Sequence, residues 1–258
     1  KLLSSSRERK ETGLFIIEGA RLCAEAPADL LEAVYVSEDC RVDLSGLRGG
    51  AAEQGSLRRM AAERDGSRSI DVETVEKSLF RELSDTVNPQ GILAVVRQTR
   101  WDLRDLLSAE NSGQSPVHRI LLLDGIRDPG NLGTMIRTAE AAGAAAVVMS
   151  PDCVDLYNPK VIRSTMGSIF RVPVITEELV PVIRQLQAVG RNVYGTSLSA
   201  HRSYREVDLS EGAIVIGSEA NGISEAVSQA VTDQIRIPMA GKVESLNAAV
   251  SAAILLFC

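Results

Sequence analysis

Aromatic rings are scarce in this 258-residue chain: one Trp, four Tyr and four Phe amount to 3% of it. That is too few for the base-stacking platforms of many single-strand RNA modules. Histidine and cysteine are also rare, with His118 and His201 set against Cys23, Cys40, Cys153 and Cys258. No two cysteines form a CxxC pair, so neither a zinc site nor a disulfide framework is expected, and no metal is assigned. No apolar run reaches the ~18 residues of a membrane span, and no signal-peptide pattern opens the chain. A reducing, cytoplasmic setting without membrane contact is the expectation. Residue 1 is Lys, and Cys258 directly follows an apolar run, so the natural chain is expected to extend beyond these ends. Lysine is the last shortage: five Lys stand beside 23 Arg. Arginine suits bidentate phosphate contacts, although a GC-rich coding sequence yields the same bias. A formal net charge of −6 disfavours a globally basic nucleic-acid binder and leaves room for a local basic face.

What is present is ordinary globular material, 45% hydrophobic and 24% charged, long enough for two modest domains. Residues 1–11 read as a basic arm, carrying Arg7, Arg9 and Lys10, that leads into a strand at Phe15-Ile16-Ile17. Helix-like Ala20 to Ala26, strand-like Val34-Tyr35-Val36, helix-like Leu57 to Glu63 and Val75 to Leu83, and a β-type run Ile92 to Val96 complete an α/β pattern. The stretch Asn111-Ser112-Gly113-Gln114-Ser115-Pro116 is the clearest linker. The expected division is a domain over 1–98, a linker over 99–117 and a second domain over 118–258. In the latter, Ile120 to Leu123, Ala146 to Met149, Asn192 to Tyr194 and Ile214 to Ile216 are short apolar runs separated by helix-length segments, as in a buried parallel sheet.

Three segments sit where such sheets bind ligands, in loops after strands. The first, Asp124-Gly125-Ile126-Arg127-Asp128-Pro129-Gly130-Asn131-Leu132-Gly133, opens a helix whose Leu132, Met135, Ile136 and Ala139 form an apolar stripe, with Arg137 off it. A solvated pair with Glu140 at i+3 is the plain reading of Arg137. The second is Gly217-Ser218-Glu219-Ala220-Asn221-Gly222, followed by helix-like Ser224-Glu225-Ala226-Val227, so Asn-Gly here marks a ligand loop rather than a hairpin. The third, Pro238-Met239-Ala240-Gly241-Lys242-Val243-Glu244-Ser245-Leu246-Asn247, joins a strand at Gln234 to Ile237 to an Ala-rich helix. Gly241-Lys242 is no P-loop, because Val243 stands where Ser or Thr must bind magnesium. Gly195-Thr196-Ser197-Leu198-Ser199 lacks the closing Gly of a nucleophile elbow. No GxGxxG occurs, which removes the dinucleotide fingerprint of an oxidoreductase.

The order and spacing of Asn131-Leu132-Gly133 with Arg137-Thr138-Ala139, Gly217-x-Glu219-x-x-Gly222, and Ile237-Pro238-Met239 with Ser245-Leu246-Asn247-Ala248 resemble the SpoU (TrmH) family of SPOUT RNA methyltransferases. Asn158-Pro159-Lys160 and the Arg163 to Ser168 segment resemble the family's intermediate region. Phe15 with Glu18-Gly19, and Pro89-Gln90-Gly91, are similar to its amino-terminal substrate-binding domain.

The resemblance implies a ribosomal-protein-like α/β RNA-binding domain followed by an α/β-knot domain, trefoil-knotted around S-adenosylmethionine. By that resemblance Thr196, Ser197, Leu198, Gly217, Glu219, Ile237, Met239, Ser245, Leu246 and Asn247 would hold the cofactor. Asn131, Arg137, Glu219, Ser245 and Asn247 would form the polar active-site set. RNA contacts are expected from Arg7, Arg9, Lys10, Arg137 and Arg163, with a further basic cluster at Arg58, Arg59, Arg64 and Arg68. The implied activity is methylation of a ribose 2′-hydroxyl, in ribosomal RNA because of the extra domain, by a homodimer paired through the carboxyl-terminal domain. A tRNA ribose methyltransferase and a non-catalytic RNA-binding or ribosome-assembly factor are the alternatives.

Overall fold

The computed structural model describes residues 2–41, 71–111 and 119–258. The expected helix at Leu57 to Glu63, the Arg58 to Arg68 cluster and His118 lie outside them. The chain divides into two compact units, Lys1–Thr99 with Tyr157–Phe170, and Arg100–Leu156 with Arg171–Cys258.

The first unit holds a four-stranded sheet of β1 (Leu14–Glu18), β2 (Leu31–Ser37), β3 (Asp71–Val75) and β4 (Ile92–Arg97) in the order β1-β4-β2-β3. β4 runs antiparallel to β1 and β2, whereas β2 and β3 are parallel. Buried Phe15, Ile17, Val34, Val36, Ile92, Ala94 and Val96 supply its core. Helices α1 (Ser6–Thr12), α2 (Ala20–Glu25) and α3 (Lys77–Leu83) accompany the sheet. The expected arm is thus a helix. An i,i+4 pair from Arg7 to Glu11 at 2.8 Å supports it, and Gly13, at φ +67°, provides the left-handed C-cap that ends it. Part of the expected segment 118–258 also belongs to this unit: α6 (Pro159–Thr165) packs on β1, and the Tyr157 ring meets Phe15 at 4.6 Å between centroids.

The second unit is built on a seven-stranded sheet, parallel throughout, in the order β7-β6-β5-β10-β8-β11-β9. Its strands are β5 (Ile120–Asp124), β6 (Ala146–Met149), β7 (Val174–Thr176), β8 (Val193–Thr196), β9 (Arg202–Ser203), β10 (Ala213–Gly217) and β11 (Asp233–Arg236). β5, β6 and β10 are buried at every position, as strands covered on both faces must be. On one face Ile120, Leu122, Ala146, Val148, Ala213 and Val215 meet α7 (Leu179–Ala188) and α4 (Leu103–Asn111). The helix α4 corrects the expected 99–117 linker, because Leu103 and Leu107 are buried in this core. Elsewhere in the unit α5 (Pro129–Ala141) and α9 (Ala248–Leu256) pack on each other, and they also contact β6 and β10 respectively. A short α8 (Glu225–Ala230) precedes β11.

Candidate active site

Three loops leave the carboxyl ends of β5, β10 and β11, and each is fixed by local chemistry. After β5, Asp128 accepts a hydrogen bond from the Asn131 backbone N–H at 2.8 Å and Pro129 occupies the first turn, which together start α5. After β10, Ser218 and Gly222 exchange two backbone hydrogen bonds of 3.1 and 2.8 Å, closing a tight ring with Gly222 at φ +66°. Gly217 lies flat against this ring: a Cβ there would overlap the Gly222 carbonyl carbon. After β11, Asn247 caps α9, its Oδ1 accepting from the N–H groups of Ala249 and Val250 at 2.9 and 3.3 Å.

These loops meet at Asn131. With the Asn247 oxygen committed to the cap, its amide nitrogen donates to Asn131 Oδ1 at 3.1 Å. The Asn131 amide nitrogen in turn donates to Glu219 Oε1. Residues 131, 219 and 247 therefore form one polar chain. Beside it lies a cavity of about 580 Å3, within the ~300–1,000 Å3 usual for small-molecule sites. Thr196, Ser197, Leu198, Gly217, Glu219, Ile237, Met239, Ser245 and Leu246 all line it. Asn247 is the one expected cofactor residue outside the lining. Gln234, Ser228, Glu225, Ser251 and Arg236 also line the cavity and were not anticipated. The Gln234 amide donates to Ser228 Oγ at 2.6 Å. No local motif marks these two, because their meeting depends on how α8 precedes β11.

The apolar stripe of α5 is buried as expected, and Arg137 is exposed opposite it. Arg137 makes no ion pair among the described residues, since Glu140 is taken by Arg171 at 2.5 Å. The other expected RNA contacts diverge. Arg9 is only 3% exposed, and its guanidinium donates to the Leu3 and Ser4 carbonyls at 2.8 Å each, so it braces the amino-terminal turn instead of facing solvent. Arg163 pairs with Asp85 at 2.6 Å. Arg7 and Lys10 are exposed. Near the first loop, Cys153 Sγ accepts from the Ile126 N–H at 3.2 Å, and burial pushes its thiol above the usual range, which suits a structural rather than a nucleophilic thiol. Among the described residues, no group of side chains could hold a metal, and no helix is long and apolar enough to cross a membrane.

A parallel α/β sheet whose strand-end loops converge on a cavity and an Asn–Glu–Asn cluster defines a ligand-binding α/β enzyme of the strand-end type. The comparisons give the family: residues 118–257 match the SpoU rRNA Methylase family, and the chain belongs to it. Residues 1–94 match the MRM3-like substrate binding domain. The chain is 34% identical over 260 residues to the 23S rRNA (guanosine(2553)-2'-O)-methyltransferase RlmP of Bacillus subtilis, covering 100% of this chain and 92% of that protein. An AdoMet-bound rRNA methyltransferase from Sinorhizobium meliloti aligns with a TM-score of 0.77 and 27% identity, over 99% of this chain and 90% of that one. The SpoU methyltransferase AviRb from Streptomyces viridochromogenes aligns at 0.78 and 25%, over 99% and 92%. A structure concerned with 2-OH methylation of C/U34 on tRNA covers only 55% of this chain and 94% of its own, at a TM-score of 0.51 and 25% identity.

Proposed function

We propose that the chain transfers a methyl group from S-adenosylmethionine to a ribose 2′-hydroxyl of ribosomal RNA. The observation that carries this reading is the cavity itself. Its walls come from the loops after β10 and β11, the Thr196 to Leu198 segment and residues of α8 and α9, and they abut the cluster that Asn131, from the loop after β5, makes with Glu219 and Asn247. The fit to the cofactor is chemical: backbone closes in at Gly217, while Leu198, Ile237, Met239 and Leu246 give apolar surface for a flat base. When bound, S-adenosylmethionine supplies a sulfonium-borne methyl group open to in-line attack, which needs no metal.

The chain's own task is to place the hydroxyl and assist loss of its proton. Arg137, exposed and without an ion-pair partner among the described residues, is the group to bind a flanking phosphate and stabilise developing alkoxide charge. A guanidinium holds its proton too tightly to be a good base, so this electrostatic role is favoured over proton abstraction. Asn131 and Asn247 hold Glu219 and the start of α9 in register, and Ser245 completes the wall. The cytoplasm suits such a role.

The carboxyl-terminal loops would be tied in the trefoil knot that the family resemblance implies. Val250 and Phe257, 47% and 63% exposed on and just after an otherwise apolar α9, offer a surface for a second copy. In such a pair Arg137 of one protomer can complete the cavity of the other. RNA selection would rest with the first unit, which carries the matched substrate-binding region, and transfer with the second. Ribosomal RNA is favoured because the chain carries both matched regions, whereas the tRNA-directed structure spans about half of it.

Two measurements test the proposal: calorimetry with S-adenosylhomocysteine, and transfer of labelled methyl to ribosomal RNA with the product mapped by nucleotide. Micromolar or tighter binding with 2′-O-methylated product supports it. Binding without transfer to any RNA favours the assembly-factor reading, and absence of binding removes the cofactor assignment.

A further inference from the structure

We propose that Asp124 is a positioning residue of the cofactor cavity, acting through one hydrogen bond to hold the 218–224 loop in place. The inference rests on the cofactor reading above. Asp124 ends β5 after four fully buried apolar residues and is itself 7% exposed. A carboxylate in that setting is costly unless it is hydrogen-bonded. Its Oδ2 accepts from the Ser224 backbone N–H at 2.6 Å, a short, charge-assisted contact across 100 residues of sequence.

Ser224 is the N-cap of α8, yet its own side chain makes no capping bond; its backbone N–H goes to Asp124. The loop so held is stiff, closed by the Ser218–Gly222 bridge and seated on Gly217, which is paired in register with Asp124 across β10 and β5. The same loop contributes Ser218, Glu219, Asn221 and Ile223 to the cavity wall, while Asp124 is not part of that wall. Two staples thus join the segments 124–131 and 217–224: Asp124 to Ser224 at one end, and Asn131 to Glu219 at the other. Loss of the first leaves the second to hold Glu219 alone, so the consequence should be read in cofactor affinity rather than in RNA affinity.

The test uses the full chain and two variants that remove opposite ends of the bond. Asp124→Ala deletes the acceptor. Ser224→Pro deletes the donor at a residue whose φ of −65° a proline adopts. Each should weaken S-adenosylhomocysteine binding by about tenfold or more, as expected for a hydrogen bond to a charged group. The double variant should be no weaker than the weaker single one. The KM for cofactor should rise while the KM for RNA holds, and amide exchange across 218–223 should quicken in both variants. The inference is overturned if either variant binds within twofold of wild type, or if the two losses multiply. Should Asp124→Ala fail to fold, Ser224→Pro with exchange across 218–223 decides the matter. A wild-type chain that binds no S-adenosylhomocysteine sinks the cofactor reading, whereas faster exchange in the ligand-free variants still supports the staple.

Discussion

The two units spend their polar side chains differently. In the amino-terminal unit they are turned on one another: Glu18 accepts from Ser84 Oγ at 2.6 Å, from the Asp85 N–H at 3.1 Å and from the Thr86 hydroxyl. Arg97 pairs with Glu32 at 3.1 Å, and the Lys77 ammonium, then the Ser37 hydroxyl, hold the Asp39 carboxyl below its usual range. In the carboxyl-terminal unit the polar groups at strand ends converge on shared space. A parallel sheet puts every strand's carboxyl end on one edge, so loops distant in sequence become neighbours. In the amino-terminal sheet β4 alone runs against the other three, and the strand-end carboxylates Glu18 and Asp39 are held by Ser84 and Lys77. In the carboxyl-terminal sheet the ends of β8, β10 and β11 border the cavity.

The sharpest break of this comparison is Arg137→Ala. Methyl transfer should fall at least ~100-fold, the scale of losing one group that stabilises transition-state charge, while S-adenosylhomocysteine affinity stays within twofold. Parallel loss of both, without unfolding, would place Arg137 at the cofactor. Next comes Gly217→Ala, which forces a methyl into the Gly222 backbone and should weaken cofactor binding about tenfold or more by calorimetry. Gly241→Ala points its methyl into open space and should leave binding nearly unchanged. Asn247→Ala should cost about 1 kcal/mol in denaturant unfolding through the lost cap of α9. Asn247→Asp should keep the cap and remove only the hydrogen bond to Asn131.

Smaller effects belong to the amino-terminal unit. Reversing Arg7 and Lys10 to Glu should weaken RNA binding a few-fold and make it less sensitive to salt, the log–log slope falling by about one for each phosphate no longer neutralised. Arg9→Ala should instead lower thermal stability, because that side chain is buried against backbone carbonyls. At neutral pH the least visible effect is that of Cys23, whose thiol burial, with Glu18 nearby, pushes up to about 12 from 9. The folded state keeps this proton after the unfolded state has released it. Stability is intact below pH ~9 and falls as pH rises towards 12, a slope that Cys23→Ala should flatten in a pH series of melting curves.

Much of this was legible in the chain. Contiguous apolar runs marked β5, β6 and β10 because strands buried on both faces have no polar side to show. The three strand-end segments could be recognised because they follow strands and their motifs resemble the family's in order; that Pro129, Gly217 and Asn247 each answer a backbone demand there came from the structure. The helix α4 escaped because its Leu103, Leu106 and Leu107 sit beside a Ser/Gly-rich stretch that reads as linker. β9 has two residues, and only its register with β11 defines it. Arg9 could not be separated from Arg7 and Lys10 by type; burial alone distinguishes them. Gln234 and Ser228 needed the fold itself to be brought together.

The polar chain from Glu219 through Asn131 to Asn247 bridges sequence separations of 88 and 116 residues. Pairings that distant carry the loop-closure cost that slows folding, and the second of them also depends on α9, whose cap is the same Asn247. The cavity draws its walls from residues 196 to 251, so it is complete only when segments that far apart have docked. Cofactor binding then acts as a completion signal: only a chain that has closed this long circuit gains stability from the ligand.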